Sequence, residues 1–198
     1  MNKKSLLLTV IIVAVTFVFT VMPAMSAQKA SMHDIKQYII KCSTEMGVEP
    51  EIALSIAKHE SGFCQEKRSH MGAVGVFQIL PSTARRVGYN PYQYQSNIKG
   101  GIAYYKQMKR MFKSDAIALA AYNAGPGTVK RYGGIPPYAE TRRYVKTVMK
   151  YYNEYKSNPD GTVAPMLAAV KAPKEDQKVL AEKEHREMLT LFMLNQAI

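Results

Sequence analysis

A chain of 198 residues has room for one compact domain plus flanking segments, and its 47% hydrophobic content excludes a disordered or collagen-like polymer. The net charge of +12 suits an anionic partner. Charge alone does not choose that partner, but the pattern of basic residues with stacked aromatics that marks a nucleic-acid-binding module is missing, so no nucleic acid is expected.

Residues 1–27 read as a secretory signal: a basic start through Lys4, an uncharged run from Leu6 to Met22, then the small residues Ala24, Ser26 and Ala27. The run 6–22 is slightly longer than a usual signal core, so if uncleaved it would serve as a membrane anchor. No cysteine lies near Ala27, which argues against a lipoprotein. The chain is therefore expected to be exported, to the periplasm or cell envelope. An oxidising compartment favours a disulfide between the two cysteines, Cys42 and Cys64, over two separate thiols. Such a bond would tether the segment after Glu60 to the first helix and stabilise the fold by roughly 3 kcal/mol.

From His33 to Tyr155 apolar residues recur at spacings of three and four, which predicts a mainly α domain. The first helix spans His33 to Met46 and stops at Gly47. Pro50 opens the second, which buries Ile52, Ala53, Ile56 and Ala57 and ends at Ser61 and Gly62. Gly72, Ala73 and Gly75 predict a tight turn or short β-hairpin between Ser69 and Ile79. A short helix follows from Pro81 to Val87, then a tyrosine-rich loop, then a long helix marked by Ile98, Ile102, Tyr105 and Phe112. Another helix runs from Asp115 to Tyr122 and stops at Gly125-Pro126-Gly127. After a loop at Gly133 to Pro137, a final helix presents Thr141, Tyr144, Val145, Val148 and Tyr152 on one face.

Beyond Tyr155, residues 156–198 read as a linker around Ser157, Asn158, Pro159 and Gly161 and then a charged helical tail from Lys174. In that tail Val179, Met188, Leu191 and Phe192 form an apolar face, for which packing on the domain is favoured over contact with a partner. The histidines at 33, 59, 70 and 185 have no paired spacing for a metal site, and no cofactor motif is present.

Glu60 is the candidate for chemistry. It sits in the last turn of a helix, at the negative end of the dipole, and apolar neighbours such as Phe77 and Leu80 would further disfavour its ionisation. A proton held near neutral pH is what a general acid needs. His59, about 100° away around the helix, is read as a surface residue.

The ordered set Glu60-Ser61, Gly75-Val76-Phe77-Gln78-Ile79 followed by Pro81, Ala121-Tyr122-Asn123-Ala124-Gly125, and Glu140-Thr141 with Tyr144 resembles the catalytic domain of the soluble lytic transglycosylases, over about residues 32–155. The resemblance implies a lysozyme-like helical fold with a substrate cleft, peptidoglycan glycan strands as substrate, and Glu60 as catalytic acid and base. It implies that Ser69 helps hold the N-acetyl group of the muramyl residue, that Gln78 contacts substrate beside the acid, and that Tyr144 hydrogen-bonds the carboxylate. Asn123 and Tyr122 fall in the family's cleft motif, with Tyr122 equally suited to the core. Ser61 either finishes the helix or touches substrate, and Glu140 is expected to hold its loop to the last helix. Phe77 and Leu80 stand where many relatives carry methionine, which bears on subsite shape.

With one good carboxylate, the substrate must assist. Its acetamido oxygen stabilises the anomeric carbon while Glu60 protonates the leaving oxygen, and ionised Glu60 then takes the 6-hydroxyl proton to close a 1,6-anhydro ring. Two alternatives stay open: a muramidase that admits water to the same cleft, and a non-catalytic wall-binding subunit of a secretion or conjugation apparatus.

Overall fold

The computed structural model describes residues 30–195, so the signal or anchor expected over residues 1–27 lies outside the described residues. No described helix is long and apolar enough to cross a membrane.

Nine helices account for most of the described chain, in agreement with the mainly α expectation. Helix α1 (Met32–Glu45) starts at a capping box, in which the Ser31 hydroxyl accepts the Asp34 N–H and the Asp34 carboxylate accepts the Ser31 N–H. Helix α2 (Pro50–Ser61) begins with proline in its first turn and ends at Gly62, whose φ of 63° is left-handed. Then come α3 (Pro81–Arg86), α4 (Tyr94–Phe112) and α5 (Asp115–Ala124). Gly125 and Pro126, read from sequence as a stop, also start another helix, α6 (Pro126–Tyr132). Proline lacks an N–H where a first turn has no acceptor for one, so the breaker of one helix opens the next. Helix α7 (Ala139–Ser157) completes the domain.

Helix α2 lies in the middle, packed on α1 and α7, while α5 packs on α4, α6 and α7. The apolar stripes meet in a core that includes Ile39, Leu54, Ile56, Ile98, Ile102, Leu119 and Val148, all fully or almost fully buried. Between α2 and α3 the chain makes the expected short hairpin, reduced to the isolated antiparallel pairs Arg68 with Val74 and Val74 with Ile79. Its anchor is Asn97 of α4: the side-chain oxygen accepts the Phe77 N–H at 2.8 Å, and the amide nitrogen donates to the Val74 and Pro91 carbonyls at 2.7 and 3.0 Å.

Three sequence expectations meet a different structure. Both cysteines are free thiols. Cys42 is buried on α1, whereas Cys64 faces solvent, its N–H given to the Ser61 hydroxyl and its sulfur 3.3 Å from Glu66. The stretch after Ser157 packs back instead of leaving as a linker. Lys36 donates to Asp160 and Thr162 at 3.2 and 3.0 Å, Val163 and Leu167 are buried, and the next helix, α8 (Ala164–Lys171), packs on α1. Helix α9 (Lys174–Asn195) does not lay its apolar residues on the domain: Val179, Met188, Leu191 and Phe192 are each more than half exposed. Met188, Leu189, Leu191, Phe192, Met193 and Leu194 encircle the helix, so no single stripe is available to bury.

Candidate functional site

Glu60 occupies the last turn of α2, and the packing of α7 along α2 brings Tyr144 to it. Burial pushes the Glu60 carboxyl up to about 7, and the nearby Tyr144 hydroxyl and Lys67 ammonium draw it back only in part. Tyr144 is 3% exposed, and its hydroxyl has no well-aligned hydrogen-bond partner among the described residues although it lies close enough to Glu60 to act on it. Both Tyr144 and the buried Tyr122 are held well above the usual phenol range, by burial first and by the Glu60 carboxylate next. The acid is therefore walled by two tyrosines. Of the apolar residues expected around it from sequence, Phe77 is fully buried, whereas Leu80, at the cap of α3, is 41% exposed.

The hairpin is fastened to the same helix end. Ser61 donates its hydroxyl to the Val76 carbonyl at 2.8 Å and accepts the Cys64 N–H at 3.0 Å, so it finishes the helix and clamps the hairpin. The Lys67 ammonium donates to the Glu60 carbonyl at 2.7 Å. Gln78 has a left-handed backbone, φ 42°, and its amide nitrogen donates to the Lys67 and Gly75 carbonyls at 3.0 and 2.9 Å. Its side-chain oxygen takes no hydrogen bond among the described residues, which leaves an acceptor for a ligand. Tyr122 donates to the Phe77 carbonyl at 2.9 Å and packs on Tyr104, so its hydroxyl ties α5 to the hairpin. Glu60, Gln78, Tyr122 and Tyr144 thus belong to one connected unit.

Ser69 and Asn123 are joined to it less directly. The Ser69 hydroxyl accepts the Ala73 N–H at 2.9 Å at the exposed end of the hairpin, which leaves its proton available to a ligand. Asn123 is half-buried in the last turn of α5, and its side chain makes no hydrogen bond among the described residues. Glu140 stands exposed in the first turn of α7, and its side chain makes no hydrogen bond among the described residues that would hold a loop.

Two contributors escaped the sequence reading. His59 is not a surface residue: its ring meets the edge of Tyr144 at 4.7 Å, its Nδ1 is buried without a hydrogen-bond partner among the described residues, and burial holds its pKa below the usual value. The 100° offset turns it from the Glu60 carboxyl but onto the α7 residue that faces that carboxyl. Lys67 carries no motif; only the folded hairpin brings it to Glu60.

The transglycosylase SLT domain model matches residues 37–145. The soluble lytic murein transglycosylase of Escherichia coli K12 is 34% identical over 129 residues, covering 52% of this chain and 20% of that protein. Among solved structures, an inactive glutamate-to-glutamine mutant of the lytic transglycosylase Slt from Pseudomonas aeruginosa superposes with a TM-score of 0.55 at 27% identity, covering 63% of this chain and 24% of that one. The 70 kDa soluble lytic transglycosylase of E. coli gives 0.53 at 31% identity, covering 63% and 25%. The chain thus spans about a fifth to a quarter of the length of these relatives.

Proposed function

The chain belongs to the transglycosylase SLT domain family, and from that membership we propose that it is an exported peptidoglycan lytic transglycosylase, cleaving the β-1,4 bond between N-acetylmuramic acid and N-acetylglucosamine with Glu60 as sole acid and base. The observation that carries the proposal is the Glu60 carboxyl, held at about 7 by burial at the end of α2 between Tyr144 and Tyr122. At that value the acid is substantially protonated near neutral pH, ready to give its proton to the glycosidic oxygen, and its conjugate base is strong enough to take one back.

Glycosidases of the common type pair two carboxylates across the bond. Burial, Tyr144 and Lys67 are what shift the Glu60 pKa, and no second carboxylate among the described residues acts on it. Among the other described carboxylates, Glu49, Glu51 and Asp115 are engaged with Lys156, Lys171 and Lys109. The substrate's own acetamido group then takes the place of the second carboxylate, and its 6-hydroxyl takes the place of water. Loss of the proton to the leaving oxygen leaves Glu60 ionised; return of the 6-hydroxyl proton restores it and closes the 1,6-anhydro ring. Tyr144 steadies the ionised form between these steps. Ser69 at the hairpin end, the Gln78 side-chain oxygen and Asn123 offer the polar groups that would orient the sugar. The glutamate-to-glutamine relative described as inactive supports an essential glutamate in this chemistry.

The test is release of soluble fragments from purified peptidoglycan. The parent chain is expected to release them, and Glu60→Gln to lose at least about a hundredfold in rate, the lower range of general acid catalysis. Equal release by both would remove Glu60 from the chemistry.

A further inference from the structure

A cavity of about 360 Å³ opens where the start of α2, the end of α4 and the C-terminal half of α7 at Tyr152 meet, and none of the residues assigned above lines it. Its wall at Ile52 is eight residues before Glu60 on α2, roughly 12 Å along the helix axis. Val48 and Ile52 give it an apolar side, and Lys106, Lys109, Arg110 and Lys113 bring four cations to it.

The carboxylates in the wall are already satisfied. Asp115 pairs with Lys109 at 2.7 Å and accepts the Tyr105 hydroxyl; Glu49 accepts from Tyr152 at 2.7 Å and Lys156 at 3.1 Å. Lys106 donates to the Met46 carbonyl. The Arg110 guanidinium and the Lys113 ammonium have no ion pair or hydrogen bond among the described residues, although the Lys113 backbone N–H is given to the Lys109 carbonyl at 2.9 Å. Cations in the last turn of α4 complement its dipole on any side, but that does not explain their convergence on a cavity. Nor does it explain Lys113 at φ 61°, a left-handed cap where glycine would carry no strain.

We propose that this cavity is a second, non-catalytic site for the carboxylate end of a short peptide of the kind that wall glycan carries, with Arg110 and Lys113 on the carboxylate and Val48 and Ile52 against the side-chain methyls. The choice of ligand rests on the peptidoglycan reading of the Glu60 site.

The test is equilibrium binding of the full chain to a free stem tetrapeptide ending in D-alanine and to its C-terminal amide, with glycan release measured on the same preparations. The acid is expected to bind at least about tenfold more tightly than the amide, the size of one charge-assisted contact. The double variant Arg110→Glu, Lys113→Glu should erase that difference, and Glu60→Gln should leave it intact while stopping glycan release. The comparison of acid with amide on the parent chain does not depend on any variant folding. Equal binding of acid and amide, or no peptide binding alongside normal glycan release, would overturn the pocket alone. Loss of phosphatidylglycerol vesicle binding in the double variant, with peptide binding unchanged, would overturn it in favour of a lipid phosphate.

Discussion

A buried carboxyl that titrates near neutral serves an acid's role and opposes folding. Glu60 moves from an ordinary value of 4.5 to about 7 in the folded chain. Between those values the folded state binds the extra proton, so stability falls as pH rises through the window and the loss is complete above pH 7, at about 3 kcal/mol. Glu60→Gln removes the charge. Thermal unfolding of the two proteins is expected to coincide near pH 4.5, with the variant melting several degrees higher at pH 8; a parent whose stability is flat across this range would contradict the burial of the acid. Tyr144 lowers the Glu60 pKa, so Tyr144→Phe should raise it further. The alkaline fall of the pH–rate profile should then move to higher pH as the rate drops, a shift that a merely structural tyrosine would not produce. That Glu60 and Tyr144 lie together was legible because spaced motifs marked them. The placement of His59 and Lys67 was not, because it arises from contacts across α7 and the hairpin.

At the level of elements, the hairpin beside Glu60 depends on α4, which is remote from it in sequence. Asn97 is fully buried and holds three backbone groups of the hairpin and the following loop. Asn97→Ala would leave the Phe77 N–H unpaired, while the Val74 and Pro91 carbonyls keep the Ile79 N–H and the Gln65 amide, and it is expected to cost about 1–3 kcal/mol in chemical denaturation, the cost of one orphaned buried group. Gly101, one turn further along α4, lets Phe77 approach so closely that an added Cβ would fall 2.3 Å from its ring. The helices themselves were readable from their apolar spacing and from Pro50, Pro81 and Gly62. Helix α6 was missed because Gly-Pro-Gly is a stop when read toward the C-terminus and a start when read from Pro126. The asparagine anchor left no sequence signal, since a polar residue among the apolar positions of α4 reads as surface.

Over the whole molecule, the segment after α7 is a strap. Lys171 lies 2.6 Å from the carboxylate of Glu51, which is 2% exposed, and Lys36 holds Asp160 from α1. Lys171→Met leaves a buried carboxylate without its cation; because the lysine is half-exposed, a loss of about 1–3 kcal/mol is expected in urea unfolding, below the cost of breaking a fully buried pair. The turn-rich composition of Ser157 to Gly161 concealed this strap, because the same residues that make a linker also make the tight return that sets Val163 and Leu167 into the domain. The cysteine expectation failed for a similar reason: export favours a disulfide, but only the fold decides whether two thiols meet.

The central claim is that Glu60 cleaves the wall glycan without water. The most direct measurement is mass spectrometry of the sugars released from purified peptidoglycan in water enriched in heavy oxygen, with Glu60→Gln run beside the parent. The expected products are one water lighter than hydrolysis fragments, carry no label from solvent, and are absent with the variant; a reducing sugar with one labelled oxygen would contradict the claim and make the enzyme a muramidase.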